Sequence, residues 1–263
     1  MNVYLFELKA LLKNAILWTA ALLGVLLAFM LGFYPLFQKN LDDILRMLSG
    51  FPPQFSAAFG VDAVSIFSIG GFFGFSFEYV GLVGAIMAAA TALASFSREK
   101  RSKCTDFLLT KPLGRQSVFA AKFAAGATVL LAANALYTAC SVPILVRGGI
   151  AAPEAFSASL SLLLTQLVFF SMGMLYAVAG KKVRSVSGTA VGFGFSGFIL
   201  SALVSILKED AIRFVAPLKY YDPTDVFKLG GYDAPYAWTG AAVLVICLLF
   251  SFLSFCNKDA HAV

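Results

Sequence analysis

Six apolar runs, each about twenty residues or longer, limit what this chain can become. A helix needs about 20 apolar residues to cross the hydrocarbon core of a bilayer. Inside lipid every backbone polar group must be bonded within the protein, so runs of this length are helices. Strands of a membrane barrel would alternate polar and apolar over roughly ten residues, and these runs do not. The reading is all-α: a polytopic membrane protein in one transmembrane domain over residues 1–263, with spans near 14–37, 72–97, 117–146, 157–179, 186–207 and 236–255. Charged residues are 13% of the chain against 60% hydrophobic. Soluble domains carry about 25% charge, so an ordinary soluble fold is excluded.

The segments between the runs give orientation. In MNVYLFELKALLK, Leu5, Leu8, Leu11 and Leu12 share one helical face, with Glu7, Lys9 and Lys13 toward the other. This suits an N-terminal helix lying in the membrane interface, or the positive flank of the first span. No secretory signal peptide is read here. Leu41, Ile44, Leu45 and Leu48 predict an amphipathic helix ended by Gly50 and Pro52-Pro53. The stretch Ile66–Phe77 either opens span two or dips into the interface. Glu78 lies twenty residues before Arg98, about 30 Å of helix, which puts it at the opposite membrane surface. Six spans leave both termini on one side. With cytoplasmic termini, most of the 20 cations fall inside, including Lys9, Lys13, the dense set from Arg98 to Lys122, Lys181, Lys182 and Arg184. Most acids fall outside. The positive-inside rule therefore predicts cytoplasmic termini in the cell membrane.

Several function classes have no support in the residues. The net charge of +6 is explained by the inside loops, so no nucleic acid is expected. Cys104, Cys140, Cys247 and Cys256 form no Cys-x-x-Cys pair, and His261 is the single histidine. Neither a disulfide framework nor a metal site is expected. Gly180-Lys181 is the nearest approach to a phosphate-binding loop, but Lys182 stands where Ser or Thr is needed and Leu175 where the first Gly is needed. The spans hold no nucleophile with a base and no paired carboxylates, so no enzyme is expected. Asn134 and Gln166 are the clearest polar residues deep in the spans. Asn134 is about 18 Å along the helix from Lys122. Either could line a substrate path or make an interhelical hydrogen bond. Gly188, Gly192 and Ser196 recur every four residues and predict close helix packing.

The segment REKRSKCTDFLLTKPLGRQSVFAAK, Arg98 to Lys122, differs from a simple linker. Its cations surround a short apolar core, Phe107, Leu108 and Leu109, which Pro112 ends. An amphipathic turn at the inner membrane face points to docking of a soluble partner. Glu99, Thr105, the run Asp106-Phe107-Leu108-Leu109-Thr110-Lys111-Pro112, Arg115 and Lys122 resemble the cytoplasmic loop of ABC-2-type transporter permeases in residue type and spacing. Cys104 departs from the usual Gly before Thr105. The order of six spans, the amphipathic N-terminus and the outer sequence Pro217-Leu218-Lys219-Tyr220-Tyr221-Asp222-Pro223 are also similar to that family.

The resemblance implies the membrane subunit of an ATP-driven exporter. Its loop between spans two and three would be a coupling helix seated on a separate ATPase subunit. Phe107, Leu108 and Leu109 would form the docking face. Glu99, Arg115 and Lys122 would orient that helix at the membrane. Two ATPase copies and a second permease copy or homologue are implied as partners within the bilayer. ATP and Mg are expected on the ATPase, with no cofactor in this chain. The family handles peptides, antibiotics, lipids, ions and polysaccharides, so the cargo stays open. A different class also fits the residues: a regulatory or structural membrane protein whose basic loop binds a soluble partner or anionic lipid without transport.

Overall fold

The computed structural model describes residues 3–40, 67–98, 114–180, 183–207 and 209–257. The expected amphipathic helix near 41–48 and the docking residues Glu99, Thr105, Phe107, Leu108, Leu109 and Pro112 lie outside the described residues. All regular elements among the described residues are helical. Six are long and apolar enough to cross a membrane: Val3–Lys39, Ile69–Phe96, Arg115–Arg147, Ala152–Ala179, Val186–Leu207 and Ala234–Asn257.

The first span is one rod in three pieces: α1 (Val3–Leu27), a π-helical turn (Ala28–Phe33) and α2 (Tyr34–Lys39). The N-terminal amphipathic segment is the opening of this rod and runs into the span without a break. Pro35 explains the π turn. It has no N–H to offer Leu31, and its ring would crowd that carbonyl. The wider turn, in which the Tyr34 N–H reaches back to Phe29, makes room for it.

The second span, α3 (Ile69–Phe96), opens at Ser68, whose hydroxyl caps the helix by accepting from the Gly71 N–H at 3.0 Å. The Gly- and Phe-rich stretch from Ile69 onward is therefore span, without an interfacial dip. This helix is the centre of the bundle. In its most apolar window 78% is buried, against 17% for the first and last spans. Small residues make this possible. A methyl group on Gly173 would stand 3.1 Å from the Ala89 backbone, and one on Gly84 would meet Leu162 at 2.6 Å. Around α3 pack α1, α5 (Ala152–Ala179) and α6 (Val186–Leu207). The third span, α4 (Arg115–Arg147), lies against α1 and α5, and the sixth, α9 (Ala234–Asn257), against α5.

Within the chain, α6 packs through small residues other than the Gly188-Gly192-Ser196 repeat. Gly192 and Ser196 are exposed, and nothing lies within 4 Å of a methyl group placed on Gly192. The buried residues are Ala190, Gly194, Gly197 and Ser201. Gly194 meets Ile86 and Gly197 meets Phe169. The packing face is thus turned away from the Gly188-Gly192-Ser196 repeat, because the large partners on α3 and α5 need the gaps at 194 and 197.

Both chain ends meet at one end of the bundle. Glu7 contacts Ser95 and Lys122, and Arg115 donates to the Cys256 carbonyl at 3.0 Å. Phe96, Phe119, Phe252 and Phe255 interlock there, with ring centroids 5.3 to 6.3 Å apart. At the opposite end, α7 (Asp210–Arg213), a 3-10 turn (Pro217–Lys219) and α8 (Pro223–Leu229) form a cap over α3 and α5. Asp222 caps α8 by accepting from the Thr224 N–H at 2.9 Å. Gly230 closes it at φ 73°, a left-handed conformation that suits glycine.

Candidate functional site

Among the described residues the most deeply buried ion pair sits at the end of the bundle where the first and last spans approach each other. Lys122 is two turns into α4 and only 1% exposed. Its ammonium donates to the Glu7 carboxylate at 2.7 Å and to the Ser95 carbonyl at 2.8 Å. The Ser95 hydroxyl donates to the other Glu7 oxygen at 3.3 Å. Arg98 forms an ion pair with Glu7 at 3.2 Å and lies over the Phe6 ring. One buried carboxylate thus joins three helices: α1 through itself, the end of α3 through Ser95 and Arg98, and the start of α4 through Lys122.

Lys122 is thus inside the protein. One expectation for α1 is corrected. Glu7 is not on a wet face but 2% exposed, whereas Leu5 and Leu12 are each 50% exposed. The buried stripe of α1 is Glu7, Leu11, Leu22 and Leu26. The physical reason is local: beside the apolar phase a charge such as Glu7 is best hidden against protein, where a partner can neutralise it, while Lys9 and Lys13 on the same segment remain exposed. Arg115, at the first residue of α4, reaches across to the end of α9.

Midway along the bundle, Asn134 and Gln166 meet. The Asn134 amide donates to the Gln166 carbonyl oxygen and to the Leu130 backbone, and the Gln166 amide points at the Met87 sulfur at 3.8 Å. Ser141 and Ser159 bond at 2.7 Å further along the same pair of helices. A polar seam therefore runs between α4 and α5. Asn134 Oδ1, Tyr137 Oη and Thr165 Oγ1 are buried without a hydrogen-bond partner among the described residues.

The third cluster, under the cap, is one that sequence reasoning missed. Glu78 is at the far end from Arg98, as its spacing predicts, but it is paired. Lys219 bonds to Glu78 and to Asp222, the latter at 3.0 Å, and Ser201 donates to Glu78 at 2.9 Å. Burial alone would lower the Lys219 pKa. The charges of Asp222 and Glu78 more than reverse this and hold it above the ordinary lysine value. Burial would raise Asp222, but Lys219 and the hydrogen bonds from Thr224 bring it down to about 2. Arg213 pairs with Asp225 and with Asp233, the latter at 3.6 Å, and stacks 4.0 Å from the Tyr236 ring centroid. Asp225 is nevertheless pushed up by burial and by the charge of Asp222. The sequence singles out Glu78 and the run 217–223 and concentrates charge and aromatic residues between Glu209 and Tyr236, but it does not show that Glu78 and Lys219 pair. Among the described residues no group of three His, Cys, Asp or Glu side chains is placed to hold a metal ion.

Six helices long and apolar enough to span a membrane, a charged joint beside the segment between spans two and three, and a folded cap at the far end define a polytopic helical membrane protein. The family profile described as ABC-2 family transporter protein matches residues 1–260. The chain belongs to the ABC-2 transporter family, and is a membrane component of it. No curated protein matches the chain closely enough to count as a relative.

Proposed function

We propose that the chain is the permease subunit of an ATP-driven export system, working with a separate ATPase that binds ATP and Mg. The family match over residues 1–260 is the observation that carries this reading. The segment 99–113 serves as the coupling element, with Phe107, Leu108 and Leu109 on the ATPase and Glu99, Thr105, Pro112 and Arg115 shaping and orienting it. The termini are cytoplasmic and the cap faces outward, in the cell membrane. Two permeases, identical or related, pair with two ATPases. ATPase closure moves the inner ends of α3 and α4, and the bundle passes between two packings of similar energy. The hydrogen bond between Asn134 and Gln166 supports a seam joining α4 to α5 in preference to a lining of the substrate path.

The test is affinity purification of the tagged chain from its native membrane in mild detergent, with ATP hydrolysis measured in the eluate. An ATPase that co-purifies, and is lost with Leu108→Glu, is the expected result. A chain that emerges without an ATPase, where a known transporter complex survives the same procedure, identifies a membrane protein that does not transport.

A further inference from the structure

We propose that Glu7 is a positioning residue for coupling: it makes the first span follow the inner ends of α3 and α4. This rests on the reading of the chain as a permease. The geometry is specific. The segment between spans two and three is bracketed by Arg98 and by the opening turns of α4, where Lys122 lies. Glu7 holds both cations, at 3.2 and 2.7 Å. Lys122 and the Ser95 hydroxyl add two further links between the same three helices. No other charged group of the first span is buried among the described residues.

Stability alone does not account for this choice of residues. Burying an ion pair costs several kcal/mol of desolvation per ion, and apolar residues of similar volume often hold helices as well or better. Charge adds directionality instead. An apolar contact lets helices slide, whereas the Glu7 carboxylate has one position in which it meets Lys122, Ser95 and Arg98 together. A displacement of the α3 and α4 ends therefore draws α1 with it. The apolar residues beside it, Leu11 and Phe119, complete the packing without fixing the register.

The experiment uses the intact complex in lipid nanodiscs, with the four native cysteines changed to serine. Spin labels are placed at Lys9 and Arg184 in one sample, and at Ser117 and Arg184 in another. All three sites are exposed, and α6, which follows Arg184, contributes nothing to the cluster. Distances are measured with and without Mg-ADP-vanadate. In the native background both distances shift. In Glu7→Gln the Ser117 pair still shifts, the Lys9 pair loses at least half of its shift, and Glu7→Asp restores it. If Glu7→Gln does not fold, the double variant Glu7→Gln/Lys122→Met, which removes the carboxylate together with the buried cation it meets, takes its place, and the Lys9 pair is expected to lose at least half of its shift there too. A Lys9 shift of native size in the variant overturns the role of Glu7 while leaving the permease reading standing. If the native chain retains no ATPase, or neither pair responds, the permease reading falls and this inference with it.

Discussion

The Lys122 ammonium and the Glu7 carboxylate lie 2.7 Å apart, although 115 positions separate them in the chain, and each is almost wholly removed from solvent. Among the described residues Glu7 meets two cations, Arg98 and Lys122, while it is the carboxylate that Lys122 meets. Glu7→Gln removes the charge that both cations share and is expected to destabilise by about 3–5 kcal/mol. Lys122→Met leaves Glu7 neutralised by Arg98, so its cost is expected to be smaller, about 1–3 kcal/mol. Thermal unfolding of the two variants in the same detergent checks the order; equal losses would contradict the arrangement.

Under the cap, the Lys219–Asp222 pair sets a pH window. The folded-state value of Asp222, about 2, is below its ordinary value. Its stabilisation is complete above about pH 5 and is lost as pH falls toward 2. Lys219 is raised, so its stabilisation is complete below about pH 9 and is lost as pH rises past its folded value. Asp225 has the opposite sign to Asp222: its raised value means that ionising it weakens the fold. Unfolding temperature in an Asp225→Asn background should therefore be flat between about pH 5 and 9 and fall on both sides. Asp222→Asn should flatten the acid side while keeping the helix cap, since Asn caps as well as Asp. Asp222→Ala should cost about 1 kcal/mol more.

The Asn134–Gln166 contact predicts non-additivity. Gln166→Leu alone leaves the Asn134 amide without its cross-helix partner, at a cost of about 1–2 kcal/mol. Changing both residues to Leu removes the orphan together with the bond, so the double variant should lose less than the sum of the singles. A double-mutant cycle on thermal stability reads the coupling directly, with about 0.6 kcal/mol typical of such bonds in membranes.

Three glycines should rank by what surrounds them. Gly173→Ala drives a methyl group against the Ala89 backbone, which cannot give way. Gly84→Ala meets the tip of Leu162, a side chain that can rotate. Gly192→Ala meets nothing and gains helix propensity of up to about 1 kcal/mol. The expected order of stability is Gly192→Ala highest and Gly173→Ala lowest in the isolated chain. If Gly192→Ala instead disrupts a purified oligomer, that face of α6 is where copies meet.

The spans were legible because lipid imposes a length and a composition that few other environments demand. The side of Glu78 was legible too, since helical rise converts residue count into depth. What each face meets was not. The alternation of Leu5, Leu8, Leu11 and Leu12 with Glu7 announces an amphipathic helix, yet the face that meets protein carries Glu7 together with Leu11, and leaves Lys9 and Lys13 exposed. Lys122 carries no local sign that a carboxylate 115 residues away will cover it. The α6 repeat does not mark the contact within the chain, because glycine spacing marks where close approach is allowed, while the partner's bulky residues, Ile86 and Phe169 here, decide where it occurs; the repeat itself is exposed. The docking residues from Glu99 to Pro112 stand on their likeness to the family loop, and the experiment on Leu108 is the one that bears on them.

The second span is held by charge near both ends and lined by small side chains between. Glu78 ties it toward the cap, Ser95 and Arg98 tie it at the opposite end, and Gly84, Ala89 and Ala92 form much of its contact with α5. Such a helix resembles an axle in two bearings. Its midsection is keyed to α6 by Ile86, which fills the gap at Gly194, so turning about its own axis is resisted there as well as at two small groups of ions. A torque applied at one end is therefore shared with α6 before it reaches the other.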